Sequence, residues 1–177
     1  MPLSGYMYIE ENDGQSFHKI AVSMDKVTLR TSSTSIYYTG EFLYDEVVAR
    51  YVTAYGVTMS TSCESPVADD TDSTCLYTTT ANSTLLNNIL LDSNSPIVNN
   101  ESAVMNIYAR VYVKFSDNSV FYGDVIATNL KALVETIDSK LWGNLSAAQQ
   151  KAVLDMYETY EDVMSSWNIP NIKNAAQ

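Results

Sequence analysis

Between residues 106 and 115, in NIYARVYVKF, apolar side chains fall on every second position: Ile107, Ala109, Val111, Val113 and Phe115. Successive side chains of a strand point to opposite faces, so Tyr108, Arg110, Tyr112 and Lys114 share the second face. Residues 119–126 read as a partner strand, and the intervening SDNS has the length of a hairpin turn, so 104–115 and 119–126 are expected to pair. Upstream, YMYI (6–9), HKIAV (18–22), KVTLR (26–30), TSIYYTGEF (34–42) and AYGVTMS (54–60) carry strand composition, with EENDG a turn and Gly40 a bulge position. YDEVVARYV (44–52) spaces Val47, Val48 and Tyr51 for a short helix. From Thr61 to Glu101 the pattern dissolves into Ser, Thr, Asn and Asp, punctuated by Pro66 and Pro96. One apolar island there, TLLNNILL (84–91), is expected to dock as a short helix. A connection this long is either functional or a variable surface excursion.

The last third changes period. NLKALVETIDSKLW (129–142) sets Leu130, Leu133, Val134, Ile137 and Leu141 on one helical stripe, and Gly143 supplies a stop. SAAQ (146–149) matches a capping box, Ser146 with Gln149, opening a helix expected to reach Trp167. Its buried face is Val153, Met156, Tyr157, Tyr160, Val163, Met164 and Trp167, and Pro170 limits its extension. Strands first and helices last predict an α+β fold: a mostly antiparallel sheet, with a sandwich-like arrangement among its forms, carrying two C-terminal α-helices. The size prior makes 1–177 a single domain, strand-rich over 6–126 and helical over 129–167.

Composition supports a folded chain: 46% hydrophobic and 18% charged residues are globular values. A chain of 177 residues removes roughly 70% of its unfolded surface from water without help from metals or cross-links. The net charge of −11 is more decisive, because it repels nucleic-acid phosphates and anionic headgroups, and no Lys/Arg cluster offsets it. No apolar run approaches the ~20 residues that span a bilayer. MPLSGYMYIEENDG lacks the basic flank and apolar stretch of a signal peptide, which leaves a cytosolic protein or a module of a longer secreted one.

Catalytic signatures are scarce. The single histidine, His18, sits in a strand pattern with no nucleophile motif, and neither a Walker A nor a G-x-G-x-x-G run occurs. Glu41, Asp45 and Glu46 form a candidate carboxylate group for a glycoside hydrolase, which needs two acids facing across a cleft. Cys63 and Cys75, the only cysteines, fall short of a four-ligand zinc site. A disulfide between them, closing a polar loop, contributes roughly 3 kcal/mol in the chain-entropy model. Asp69, Asp70 and Asp72 offer hard oxygen ligands for Ca²⁺ but lack the glycine and distal glutamate of an EF-hand. Thirteen tyrosines point to a surface that is flat, apolar and hydrogen-bonding at once. Tyr108, Arg110 and Tyr112, joined by Tyr122 on the next strand, are therefore the candidate ligand face, for a glycan or a surface protein.

Four segments in order carry a family likeness: KVTLRTSSTSIYYTGEF, AYGVTMS, IYARVYVKFSDNSVFYGD and LSAAQQKAVLDMY, together spanning about residues 24–167. They resemble uncharacterised extracellular modules of large multidomain surface proteins from anaerobic gut and rumen bacteria. The chain departs from that pattern at 32–35, which hold no Gly where the family turns. The resemblance implies secretion as part of a larger protein, a cell-surface location and a non-catalytic accessory role. It transfers no catalytic residue. The expectation is a binding or adhesion module, with a structural spacer or self-assembling surface-layer or filament subunit as the rival.

Overall fold

A computed structural model describes residues 3–11, 14–30, 35–44, 46–68, 77–78, 87–90 and 101–177; for 3–19, 25, 26, 30, 35, 41–44, 77–78, 87–90 and 102 only the backbone course is described. The fold is α+β with two sheets. The first is four-stranded and takes β1 (Leu3–Glu11), β2 (Gly14–Arg30), β3 (Ser35–Tyr44) and β6 (Asn87–Leu90) in the order β1-β2-β3-β6. The second is five-stranded. It runs β5 (Tyr77–Thr78), β4 (Val52–Ser60), β7 (Ile107–Phe115), β8 (Val120–Tyr122), with β9 (Ile126–Thr128) also paired to β7. The registers of β1 with β2 and of β4 with β5 and β7 are antiparallel, as is that of β7 with β8.

Several elements differ from the sequence expectation for local reasons. HKIAV and KVTLR belong to one 17-residue strand, β2, because Ser23, Met24 and Asp25 between them include neither Gly nor Pro to break the ladder. Within the island at 84–91, expected as a helix, the described residues 87–90 form the strand β6; the rest of it lies outside the described residues. The helix expected over 44–52 shrinks to α1 (Glu46–Ala49), since Val52 and Thr53 are β-branched and already belong to β4. The segment before β7 begins with a 3₁₀ turn at Ser102–Val104. The strand expected over 119–126 is split in two at Gly123.

The hairpin turn between β7 and β8 forms as expected. Asn118 adopts φ 67°, a left-handed conformation that Asn tolerates better than most residues. Its amide donates to the Phe115 carbonyl at 2.9 Å, while the Asp117 carboxylate accepts from the Ser119 amide at 2.9 Å and its hydroxyl at 2.6 Å. Those bonds hold the Asp117 carboxyl below its ordinary pKa.

The chain divides into two compact units, each gathered from three stretches: Met1–Val27, Tyr38–Asn87 and Ile107–Ala127 in one; Thr28–Tyr37, Asn88–Asn106 and Thr128–Gln177 in the other. In the first unit the apolar face of β7 is sealed: Ile107, Ala109, Val111, Val113 and Phe115 are all at most 3% exposed. Val57 and Met59 of β4 lie opposite Val111 and Ala109 and are fully buried with them. Each such aliphatic side chain contributes roughly 1.5–3 kcal/mol by leaving water.

Gly123 marks the close approach of the two sheets in this unit. Its amide donates to the Val111 carbonyl at 2.8 Å, and a Cβ added there would stand 3.1 Å from the Val22 carbonyl oxygen of β2. Neither neighbour is a flexible side-chain tip. Gly123→Ala is therefore expected to destabilise by about 1–3 kcal/mol, read as a lower urea midpoint at unchanged slope.

Tyr38 of β3 is wholly buried, and its hydroxyl has no hydrogen-bond partner among the described residues. Burial pushes the phenol above its ordinary pKa. Removing an unsatisfied buried hydroxyl relieves its desolvation cost, so Tyr38→Phe is expected to stabilise by about 1–3 kcal/mol in a denaturant titration.

The second unit holds the helices. In α2 (Leu130–Thr136), Asn129 is the N-cap; its side chain accepts from the Ala132 amide at 2.8 Å and donates to Asn106 at 3.1 Å. A five-residue π-turn, Ile137–Leu141, follows and then a 3₁₀ turn, Trp142–Asn144. The wider π-turn breaks the stripe expected from sequence: Leu141 rotates out to 43% exposure, while Asp138 is carried inside at 2%.

The capping box at Ser146 and Gln149 is present in both directions and opens α3 (Ala147–Thr159). The long helix expected to reach Trp167 breaks at Tyr160, whose backbone (φ −121°, ψ 32°) is non-helical, and α4 (Glu161–Met164) follows. Pro170 opens α5 (Pro170–Ala175) at its first turn, where its missing N–H costs nothing. Val134, Val153, Met164, Trp167, Ile169 and Ile172 form the core of this unit. Glu135 accepts from Lys131 at 2.6 Å and from the Asn168 amide at 3.2 Å; the lysine bond chiefly holds its carboxyl below the usual value.

Candidate functional site

The polar face of β7 is the site marked by sequence, and the β4–β7 register shows which residues share it. Thr58 lies opposite Arg110, Ser60 opposite Tyr108, and Gly56 opposite Tyr112. On the other side Tyr112 is opposite Tyr122 of β8. Opposed residues of an antiparallel pair project to the same face, so Thr58, Ser60, Tyr108, Arg110, Tyr112 and Tyr122 form one surface.

Four of these side chains act together. The Arg110 guanidinium carbon lies 3.7 Å from the centre of the Tyr122 ring, a stacked cation–π contact. The segment leaving β4, residues 61–68, turns back over the face, and its backbone is bonded by the sheet's side chains almost residue by residue. The Ser60 hydroxyl accepts from the amides of Ser62 (3.1 Å) and Cys63 (3.0 Å). Arg110 donates through Nε to the Pro66 carbonyl at 2.7 Å and through Nη2 to the Ser65 carbonyl at 3.4 Å. The Thr58 hydroxyl donates to the Val67 carbonyl at 3.2 Å, and the Tyr122 hydroxyl accepts from the Ala68 amide at 3.0 Å. Six backbone groups of this strap are thus read by four side chains of β4, β7 and β8.

Burial makes these bonds matter. Thr58 and Ser60 are fully buried, and Pro66 and Ala68 are buried beneath the strap's outer surface, where Val67 is exposed. Desolvation pulls Arg110 below its ordinary pKa, while Tyr122 and then Cys63 beside it oppose the shift. An arginine so placed stays cationic and keeps its planar fork of donors.

The predicted ligand residues therefore fare differently. Arg110 and Tyr122 are brought into stacking contact and engaged by the chain's own strap. Tyr112 is only 2% exposed, and Tyr108 is half-buried at the Ser60 end. An open aromatic strip along β7, as a glycan platform requires, is not what the first unit presents.

Thr58 and Ser60 were missed by sequence reasoning. The available signal was the alternation V-T-M-S in β4, which sets both hydroxyls on one face, between the apolar Val57 and Met59.

The other candidates have less to support them. Cys63 carries a half-buried thiol that is free among the described residues, and Cys75, its expected disulfide partner, lies outside them. Asp69, Asp70 and Asp72 also lie outside them, and among the described residues no three His, Cys, Asp or Glu side chains gather as a metal site. Of the carboxylate group, Glu46 is exposed, Asp45 lies outside the described residues, and Glu41 and His18 are described by backbone alone. In the second unit an open hollow of about 440 Å³ is bordered by Glu158, Glu161 and Lys173. Its lysine is already committed, donating to the Trp167 carbonyl at 2.6 Å. Among the described residues no helix is long and apolar enough to cross a membrane.

Comparison of the chain with protein-family models, with curated proteins and with solved structures found no match.

Proposed function

We propose that this chain is a non-catalytic module of a larger extracellular or cell-surface protein, and that it mediates adhesion by holding a protein ligand. The observation that carries the reading is the polar face of β4, β7 and β8, where Thr58, Ser60, Arg110 and Tyr122 address peptide amides and carbonyls. That chemistry suits polypeptide backbone better than sugar, because its donors and acceptors are spaced for main-chain groups and the tyrosine rings are not laid open side by side. The charge of −11 favours a neutral or basic partner.

A spacer or self-assembling subunit is the second reading. It is favoured by how fully the strap satisfies the face, as a purely architectural loop does. Immobilised protein probed with peptide and polysaccharide arrays separates the two, alongside light scattering at rising concentration. Saturable capture on peptides supports adhesion. A silent array with a monomer at all concentrations leaves the spacer, and a silent array with growing mass leaves the assembly subunit.

A further inference from the structure

Residues 65–68 are held on the sheet as a ligand is held. Loops ordinarily satisfy their polar groups with their own turns and with water. Here, the carbonyls of Ser65, Pro66 and Val67 and the amide of Ala68 are instead met by Arg110, Thr58 and Tyr122, residues 44 to 54 positions away for the arginine and tyrosine bonds. The proline is buried on the face, while the neighbouring Val67 side chain is 45% exposed and plays little part in the seat. A seat that grips main chain and a proline, but leaves the flanking side chains outside, is selective for a short proline-containing segment with a small residue two positions after the proline.

We infer that the Thr58–Arg110–Tyr122 face is a recognition site for short proline-containing peptide segments, occupied in cis by Ser65–Ala68, so that the strap is an autoinhibitory ligand. This rests on the adhesion reading above and adds its ligand class and its regulation. A tethered segment has an effective concentration in the millimolar range, so a free peptide of similar affinity does not displace it. The native chain is consequently a weak binder until the strap lifts. Lifting it breaks the bonds made by Arg110, Thr58 and Tyr122 but none of the β4–β7 ladder, so it is a local opening, not an unfolding.

The test uses acetyl-Glu-Ser-Pro-Val-Ala-amide as the probe, with binding followed by amide chemical shifts of the protein. In the opened variant, Ser65–Ala68 is replaced by Gly-Ser-Gly-Ser. The peptide is expected to bind this variant saturably and at least tenfold more tightly than it binds the native chain, and addition of Arg110→Ala is expected to abolish the gain. Equal affinity for native and opened chains overturns the cis occupancy. No saturable binding of this probe by a folded opened variant overturns the site, while the peptide and polysaccharide arrays, read on the native and the opened chain together, decide the adhesion reading separately. Should that variant fail to fold, Ala68→Glu ejects the strap by placing a charge at a buried methyl and is tested in the same way.

A measurement on the native chain stands beside these. The amides of Ser62, Cys63 and Ala68 are expected to exchange with solvent at least 100-fold faster than those of Val111 and Val113. Exchange of both sets at one common rate makes the strap part of the cooperative core and overturns the proposal.

Discussion

Replacing Asp138 by alanine is expected to lower the stability of the helical unit by about 2–4 kcal/mol, the largest loss from any single polar side chain described. Asp138 is 2% exposed, and its Oδ1 accepts from the amide of Ile172, itself fully buried, at 2.8 Å. Ile172 is the third residue of α5, so the carboxyl caps that helix from 34 positions earlier in the chain. Asn171 completes the arrangement by donating to the Asp138 carbonyl at 3.0 Å and to Oδ2 at 3.3 Å. Truncation leaves the Ile172 amide buried without its acceptor, where water cannot replace it, and leaves a cavity between α5 and the π-turn. Asp138→Asn keeps one carbonyl oxygen at nearly the same place and is expected to lose only about half as much. Thermal unfolding reads both, at roughly 2–4 °C per kcal/mol for a chain of this size. Equal losses for the alanine and asparagine variants contradict the capping role.

Arg110→Ala is expected to cost about 2–3 kcal/mol and, more tellingly, to release the strap. It removes two bonds to carbonyls and the stack on Tyr122, and leaves the Pro66 carbonyl buried without a donor. Arg110→Lys preserves the charge but not the planar fork, so it cannot donate to two successive carbonyls while lying flat on the ring; it is expected to restore less than half of the loss. The distinguishing readout is local. Cys63 is a half-buried thiol in the strap, free among the described residues, and its alkylation rate is expected to rise at least tenfold in Arg110→Ala while amide protection on the apolar side of β7 is kept. A variant that loses stability with no change in the thiol rate shows that Arg110 supports the sheet globally and does not clasp the strap.

The two effects have the same origin. In both units a single side chain from a regular element satisfies main-chain groups of a segment far away in sequence, and neither bond is visible in any local pattern. Asp138 stands at the edge of the stripe set by Leu130, Leu133, Val134, Ile137 and Leu141, and nothing in its local sequence marks it as a buried cap. The π-turn carries it inside, and the choice of a π-turn depends on how α2 is seated in its unit. Arg110 was legible as lying on the same face as Tyr112 and Tyr122, since strand parity fixes that much. Its partners were not legible, because Ser65 and Pro66 lie in a stretch with no periodicity.

The same contrast runs through the fold. Parity along 107–115, the S-x-x-Q box at 146 and the turn at 116–119 each depend on interactions within a few residues, and each formed as the sequence predicted. Residues 87–90, within the helix expected over 84–91, form a strand and the continuous helix to Trp167 breaks, since a short apolar run fits either a strand or a helix and tertiary packing selects.

By itself, then, the sequence determined the α+β class, the sealed side of β7 and the shared face of Tyr108, Arg110, Tyr112 and Tyr122, because these follow from side-chain period and short-range capping. Tertiary structure alone decided that residues 61–68 fold back onto that face, that Thr58 and Ser60 join it, and that Asp138 turns inward to cap α5. Those outcomes depend on where buried main-chain donors and acceptors find partners across tens of residues, a requirement no local pattern encodes.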